Sequence, residues 1–243
     1  MDNSVSENKS RIKSKQRVAE RGEVFTGERE VKAMCDLVKQ ETERIDSRFL
    51  EPACGDGNFL AEIIARKLAI VKKLYKRNAY DYERYSVLAM TSVYGVDILK
   101  DNAEECRARL FGIWDNDYKE VCKKQISEET RAAVKYILEK NILCGNALTL
   151  VCVDENQCDL PDKPIIFAEW SLLAGTKLKR RDFRLDVLLK ANDKPKTSGQ
   201  LSLLDVPPDL QPYISINPVT KEYMAEPIRE YPPVHYRRIV DYE

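Results

Sequence analysis

Residues 51–58 read Glu51-Pro52-Ala53-Cys54-Gly55-Asp56-Gly57-Asn58, between an apolar Phe49-Leu50 and a long amphipathic run that begins at Phe59. An acidic residue stands where a strand would end, two glycines follow at alternate positions, and a helical period comes next. That is the spacing of a strand, a tight loop and a helix. The glycines carry no Cβ, so the backbone can turn sharply and come close to a ligand. Glu51 can accept hydrogen bonds from a ligand's amine or hydroxyl groups. Two further acceptors stand at comparable places: Asp97 closes Val93-Tyr94-Gly95-Val96-Asp97, and Asn146 follows Asn141-Ile142-Leu143-Cys144-Gly145. Open α/β sheets bind ligands outside the carboxyl ends of their strands. Three successive strand ends here carry acceptor side chains.

The elements that must position these groups can be read from the pattern. Val31, Met34, Leu37 and Val38 fall near one helical face, after Thr26 as a candidate cap and with Glu28 and Glu30 in the first turn. A strand is expected at 48–51, then a helix carrying Phe59, Leu60, Ile63, Ile64, Leu68, Val71 and Leu74. A second helical stretch over 81–92 leads to the strand at 93–97, and a helix with Ala103, Cys106 and Leu110 follows. The segment 114–139 is charged and helical in its second half; strands are expected near 141–146 and 164–168. This alternation predicts an α/β fold with a central, mostly parallel sheet covered by helices on both faces. Residues 1–20 form a polar arm made basic by Lys9, Arg11, Lys13, Lys15 and Arg17. The domain proper is expected over 21–190. Eight of the eleven prolines lie between 195 and 233, so 191–243 is read as a Pro-rich tail that wraps a partner or the protein's own body.

With 243 residues the chain can bury one full α/β core. Its 40 basic and 40 acidic residues cancel, which argues against a globally basic nucleic-acid binder and leaves a local patch open. The seven cysteines include no C-x-x-C pair, and His235 is the only histidine, so no metal site is expected. The odd cysteine count and the lack of a signal peptide favour reduced thiols and a cytoplasmic protein. No apolar run is long enough to cross a membrane.

The string E-P-A-C-G-D-G-N-F resembles the S-adenosylmethionine (SAM) loop of DNA adenine-N6 methyltransferases, whose usual form is D-P-A-C-G-S-G. Y-G-V-D-I at 94–98 and the helix A-E-E-C-R-A-R-L match the family's second motif. I-L-C-G-N-A-L at 142–148 resembles I-x-x-G-D-A-L, with Asn146 in place of aspartate. Phe25-Thr26-Gly27 looks like the family's F-T-P stretch, with Gly27 in place of proline. The resemblance spans about residues 17–150. It implies a Rossmann-like class I methyltransferase fold with SAM as cofactor. Glu51 and the loop Pro52, Ala53, Cys54, Gly55, Asp56, Gly57, Asn58 and Phe59 would then hold the methionine part, with Phe25 and Thr26 closing over it. Asp97 would accept both ribose hydroxyls, Ile98 would pack on the adenine, and Asn146, with Ala147 beside it, would accept from the adenine amine.

The family's acceptor site, N/D/S-P-P-Y/F, holds the target amine and stacks on the flipped base. Here the corresponding residues are Phe167-Ala168-Glu169-Trp170. Asn217-Pro218-Val219 and Asp205-Val206-Pro207-Pro208 come too late and lack the aromatic ending. Glu169 can accept a hydrogen bond; Trp170 either stacks a base or covers the core. The cluster Lys177, Lys179, Arg180 and Arg181 either contacts phosphates or is a solvated surface. The resemblance therefore implies a SAM-binding subunit or half-enzyme of a DNA methyltransferase, of restriction-modification type. DNA would be its substrate, and a protein partner would supply the acceptor site or the DNA specificity. The alternatives are a non-catalytic SAM-binding assembly protein and a methyltransferase acting on another substrate.

Overall fold

The computed structural model describes residues 26–192, 202 and 205–242. The basic arm and Phe25 lie outside the described residues. Three parallel strands form the platform: β1 (Phe49–Glu51), β2 (Val93–Asp97) and β3 (Ile142–Cys144), in the spatial order β1-β2-β3. Glu51 pairs with Gly95, and Asp97 with Cys144, so the three strand ends share one rim. All of β2 is buried, as a central parallel strand requires.

Helices pack around this platform. They are α1 (Glu28–Leu37), the single turn α2 (Lys39–Thr42), α3 (Asn58–Tyr75), α4 (Ala79–Met90), α5 (Lys100–Cys122) and α6 (Glu128–Asn141). Leu60, Ile64 and Leu68 of α3 pack with Cys106, Leu110 and Trp114 of α5 in the main core. Burial of a leucine or isoleucine contributes roughly 1.5–3 kcal/mol. Asn78 caps α4 by accepting from the N–H groups of Tyr80 and Asp81, and Ser127 caps α6 by accepting from Thr130 N–H. α1 starts on Gly27 without a side-chain cap, so Thr26 does not play that role. Only Val31 and Cys35 of α1 are buried; Met34, Leu37 and Val38 remain exposed, contrary to the single buried face expected.

Lys67 of α3 is wholly buried. Its ammonium donates to Ile45 O at 3.3 Å, to Ser47 O and to Ser92 Oγ at 2.6 Å, tying the loop before β1 to the start of β2. Burial pushes this ammonium down to about 7.

Part of the sheet's cover differs from expectation. A short hairpin of β4 (Val151–Val153) and β5 (Asp159–Pro164) leads into a longer one, β6 (Ile166–Leu172) and β7 (Lys177–Arg184). β6 starts beside the carboxyl end of β3, where Ile165 packs against Gly145 so closely that a Cβ on that glycine would lie 2.9 Å from Ile165 Cδ1. It ends beside the residue before β3, where the Trp170 indole donates to Asn141 Oδ1 at 2.9 Å. β6 therefore runs back across the platform, opposite to the parallel strands. The Tyr94 hydroxyl meets it by donating to Ala168 O at 3.1 Å, and the Tyr94 ring packs edge-on against Phe167. Among the described residues, Tyr94 and Val96 pack with Ile165, Phe167 and Leu185, so an antiparallel hairpin shares in covering the sheet where helices alone were expected. The cause is local. Only residues 173–176 separate β6 from β7, enough for a hairpin and too few for a parallel crossover.

The described residues of the tail pack on this body. α7 (Leu185–Asn192) spans the boundary expected at 190. β8 (Ile214–Ile216) pairs with β9 (Tyr223–Ala225), while β10 (Arg229–Glu230) and β11 (Val234–His235) both pair with β7. A closing 3-10 segment, Tyr236–Tyr242, sends Tyr236 and Ile239 into the main core. Glu83 of α4 anchors it. The carboxylate accepts from the hydroxyls of Tyr118 and Tyr236 and from Arg237 Nε and Nη2 at 2.9 and 2.7 Å.

Candidate functional site

The loop after β1 is fastened at three levels. Cys54 N–H donates to Val96 O at 2.9 Å, Gly57 N–H donates to Cys54 O at 2.8 Å, and Gly55 N–H donates to Asp97 Oδ2 at 2.9 Å. Gly55 and Gly57 both take left-handed backbone angles, φ +52° and +89°. Gly57 is the N-cap of α3. These are conformations that side chains disfavour, so the sequence places glycine where the turn demands it. Close packing adds a second reason. A Cβ on Gly57 would lie 2.6 Å from Cys106 Sγ, and one on Gly95 would lie 2.9 Å from Cys54 Sγ. The thiols of Cys54 and Cys106 touch, and that contact together with burial pushes the Cys54 thiol far up.

Asp97 is buried at the end of β2. Its Oδ1 accepts from Leu99 N–H at 2.8 Å and Asn102 Nδ2 at 3.3 Å, and its Oδ2 accepts from Gly55 N–H. A carboxylate has about four acceptor directions. Three are taken, and the remaining one belongs to Oδ2, on the loop side. Glu51 is half-buried at the end of β1, where burial raises its carboxyl against the opposing hydrogen bond from the Ala53 backbone. Pro52 and Ala53 are exposed at the crest of the loop; Phe59 is half-buried in the first turn of α3. Ile98 is half-buried, and its carbonyl accepts from Cys144 Sγ across the rim.

Two loop side chains converge on a residue that the sequence reading did not single out. Arg109 of α5 donates through Nη2 to Asp56 Oδ2 at 2.6 Å and through Nη1 to Asn58 Oδ1. Asp56 therefore faces this guanidinium. The available signal was the position of Arg109 one helical turn beyond Cys106. Asn102 was also missed; it follows Asp97 closely and supports it from the first turn of α5.

The third strand end is arranged differently from expectation. Asn146 Oδ1 accepts from Leu148 N–H at 3.0 Å and Thr149 N–H at 3.4 Å, and its amide donates to Asp159 Oδ1 at 3.0 Å. The oxygen expected to face an adenine amine closes a turn of its own loop. Ala147, next to it, packs with Tyr94, Val96 and Ile165.

Glu169 and Trp170 do not form a common pocket. Neighbours in a strand point to opposite faces. Trp170 is buried in the main core, bonded to Asn141 and edge-on to Tyr136, so it stacks no ligand and is corrected here to a core residue. Glu169 faces a cavity of about 610 Å³, where Arg48 Nη2 and Arg181 Nε (2.8 Å) both bind its carboxylate. The basic cluster of β7 is similarly engaged. Arg180 is buried against Asp182, Arg181 pairs with Glu169, and Lys179 pairs with Glu230 at 2.8 Å. These three charges pair within the hairpin and with the tail, while Lys177 is exposed.

The loop, Asp97 and Glu51 together offer acceptors beside a backbone turn that a ligand can approach closely. The glycine turns allow close approach, and both carboxylates stand on the same rim with Oδ2 of Asp97 on the loop side. Among the described residues no helix is long and apolar enough to cross a membrane. No family model matches the chain, and no solved structure matches it significantly. A curated relative does. Over 145 residues the chain is 23% identical to DNA methyltransferase A of Bacillus subtilis strain 168, an alignment covering 58% of this chain and 16% of that protein. The chain thus spans only a small part of the relative, and what the two share is a distant likeness to a DNA methyltransferase.

Proposed function

We propose that this chain is a SAM-binding component of a DNA adenine-N6 methyltransferase, of the kind found in restriction-modification systems, and that a partner completes its acceptor site. The observation that carries the reading is the hydrogen bond from Gly55 to Asp97, which joins the glycine loop of β1 to the carboxylate of β2. The distant likeness to a DNA methyltransferase supports it.

The residues divide the work. Glu51 and the backbone of Gly55 and Gly57 would hold the amino-acid end of SAM. Asp97 would accept from a ribose hydroxyl through the open side of Oδ2, and Ile98 would flank the base. When bound, SAM supplies a methyl group on a positively charged sulfur. Catalysis then requires a target amine held in line with that methyl group. This chain does not offer such a platform in its usual form: Phe167-Ala168-Glu169-Trp170 lacks the two prolines, Trp170 is in the core, and Glu169 is held by two arginines. The same pairing favours, as the second reading, a non-catalytic SAM-binding role in an assembly.

Calorimetric titration of the full chain with SAM and with its demethylated product tests the cofactor assignment. Binding is expected, and its absence in well-folded protein overturns the assignment. Transfer of tritiated methyl groups to genomic DNA then tests the division of labour. Activity is expected only with the co-purifying partner; robust methylation by the lone chain would make it a complete enzyme.

A further inference from the structure

Among the described residues β1 is bonded along one side only. Phe49 N–H donates to Ser92 O at 2.9 Å, so Phe49 and Glu51 direct their main-chain groups toward β2. Leu50 between them directs its own N–H and C=O outward, as alternation in a parallel ladder requires. Leu50 is 42% exposed. Cavities border this edge on both sides. The one of about 610 Å³ lies toward the β6–β7 hairpin, with Leu50, Phe183, Leu189 and Met224 in its wall. The other, about 230 Å³, lies toward α1, with Met34, Val38 and Phe59 in its wall. Met34, Val38, Leu189 and Met224 are also exposed, so apolar surface flanks the edge from both faces.

An edge of this kind presents unmet backbone donors and acceptors with side-chain pockets on alternate faces. The outward donor is Leu50 N–H; Pro52, next on the outward row, has none, so the ladder is anchored at Leu50. Charge adds a preference. Arg48 and Arg181 share the single carboxylate of Glu169, which leaves one positive charge at the mouth of the larger cavity. We propose that an extended segment of a partner protein completes the sheet along β1. Its alternate apolar side chains enter the two cavities, and an acidic residue meets Arg48 and Arg181. The partner's role rests on the two-chain reading above; the open edge belongs to this chain.

The test uses the full chain and, as probe, an acetylated and amidated nonapeptide, Val-Thr-Val-Glu-Val-Thr-Val-Glu-Val. In hydrogen exchange the Leu50 amide should exchange fast in the lone chain and slow down on adding the probe. A probe with alternate amides N-methylated should give no protection, because it cannot form the ladder. Leu50→Pro removes the outward donor at an edge position that tolerates proline, and Arg181→Glu reverses the charge; each should weaken probe binding by roughly tenfold or more. SAM affinity should be unchanged in Arg181→Glu. Equal protection by the N-methylated probe, or none by either probe while SAM still binds, overturns the proposal and leaves the cofactor assignment standing. Slow exchange of Leu50 in the lone monomer would assign the edge to the chain's own residues, and slow exchange in a concentration-dependent dimer would assign it to a second copy. Either result also overturns it.

Discussion

The backbone N–H of Gly55 and the carboxylate of Asp97 are joined at 2.9 Å although 42 positions separate them in the chain. This bond places the glycine loop over the end of β2 and makes one carboxylate both a support of the loop and a prospective ligand contact.

Asp97→Ala should therefore act twice. The backbone donors of Gly55 and Leu99 lose their acceptor, and the fold should weaken by about 1–3 kcal/mol in urea unfolding. SAM affinity should fall by more than ten-fold, about 1.5–3 kcal/mol. Unchanged affinity in the folded variant would remove Asp97 from the ligand site and leave it as a loop support.

Lys67 gives a pH dependence of known sign. Its folded pKa is lowered to about 7 from the model-peptide value of 10.5. Between those two values the unfolded chain binds the extra proton and the folded chain does not, so stability from this group rises with pH. The rise should be visible from about pH 6.5 to 7.5, before thiol ionisation in the unfolded chain opposes it, because burial pushes Cys35, Cys54, Cys122, Cys144 and Cys152 up in the fold. Tyr82, Tyr118 and Tyr236 are all pushed up by burial in the fold, and they turn the curve downward at higher pH. Urea titrations across this range should lose their upward slope in Lys67→Met; a slope that persists would trace it to another group.

Glu83 should be a strong point of the tail. Glu83→Ala leaves Arg237 and two buried hydroxyls without their acceptor, at a cost of about 3–5 kcal/mol. Amides of 236–242 should exchange slowly in the wild-type monomer and quickly in the variant. Rapid exchange in the wild type would show that the closing segment is not fastened in solution.

Trp170→Phe should destabilise the chain by about 1–3 kcal/mol, through the loss of the bond to Asn141 and of ring volume. SAM affinity should be untouched, and any methylation found with a partner should survive. A selective loss of turnover at full stability would return Trp170 to the acceptor site.

What could be read from the sequence follows from how local each signal was. The loop, the first turn of α3 and the strand ending at Asp97 were legible because glycine placement and apolar period act within a few residues. Asn146 was legible as a turn residue, but the side chain's choice between a ligand and Leu148 N–H depends on the loop's final path. The pairing of Glu169 with Trp170 in one pocket was excluded by the strand period itself, once 166–172 is taken as a strand. The tail was opaque because its anchors are distant: Tyr236 and Arg237 reach Glu83 across most of the chain. Prolines signalled the lack of long elements there, yet short strands and one buried carboxylate are enough to bind the segment to the core.

Gly57, Cys106, Cys54 and Gly95 form a column from the start of α3, through α5 and the loop, down to β2. Its height is set by two sulfur atoms, each wedged against a glycine. Bulk cannot be added at one level without removing it from the next. Lineages that change one of these four positions should change its neighbour in the opposite direction, so paired size exchanges among relatives would record the clearance between loop and sheet as a heritable trait.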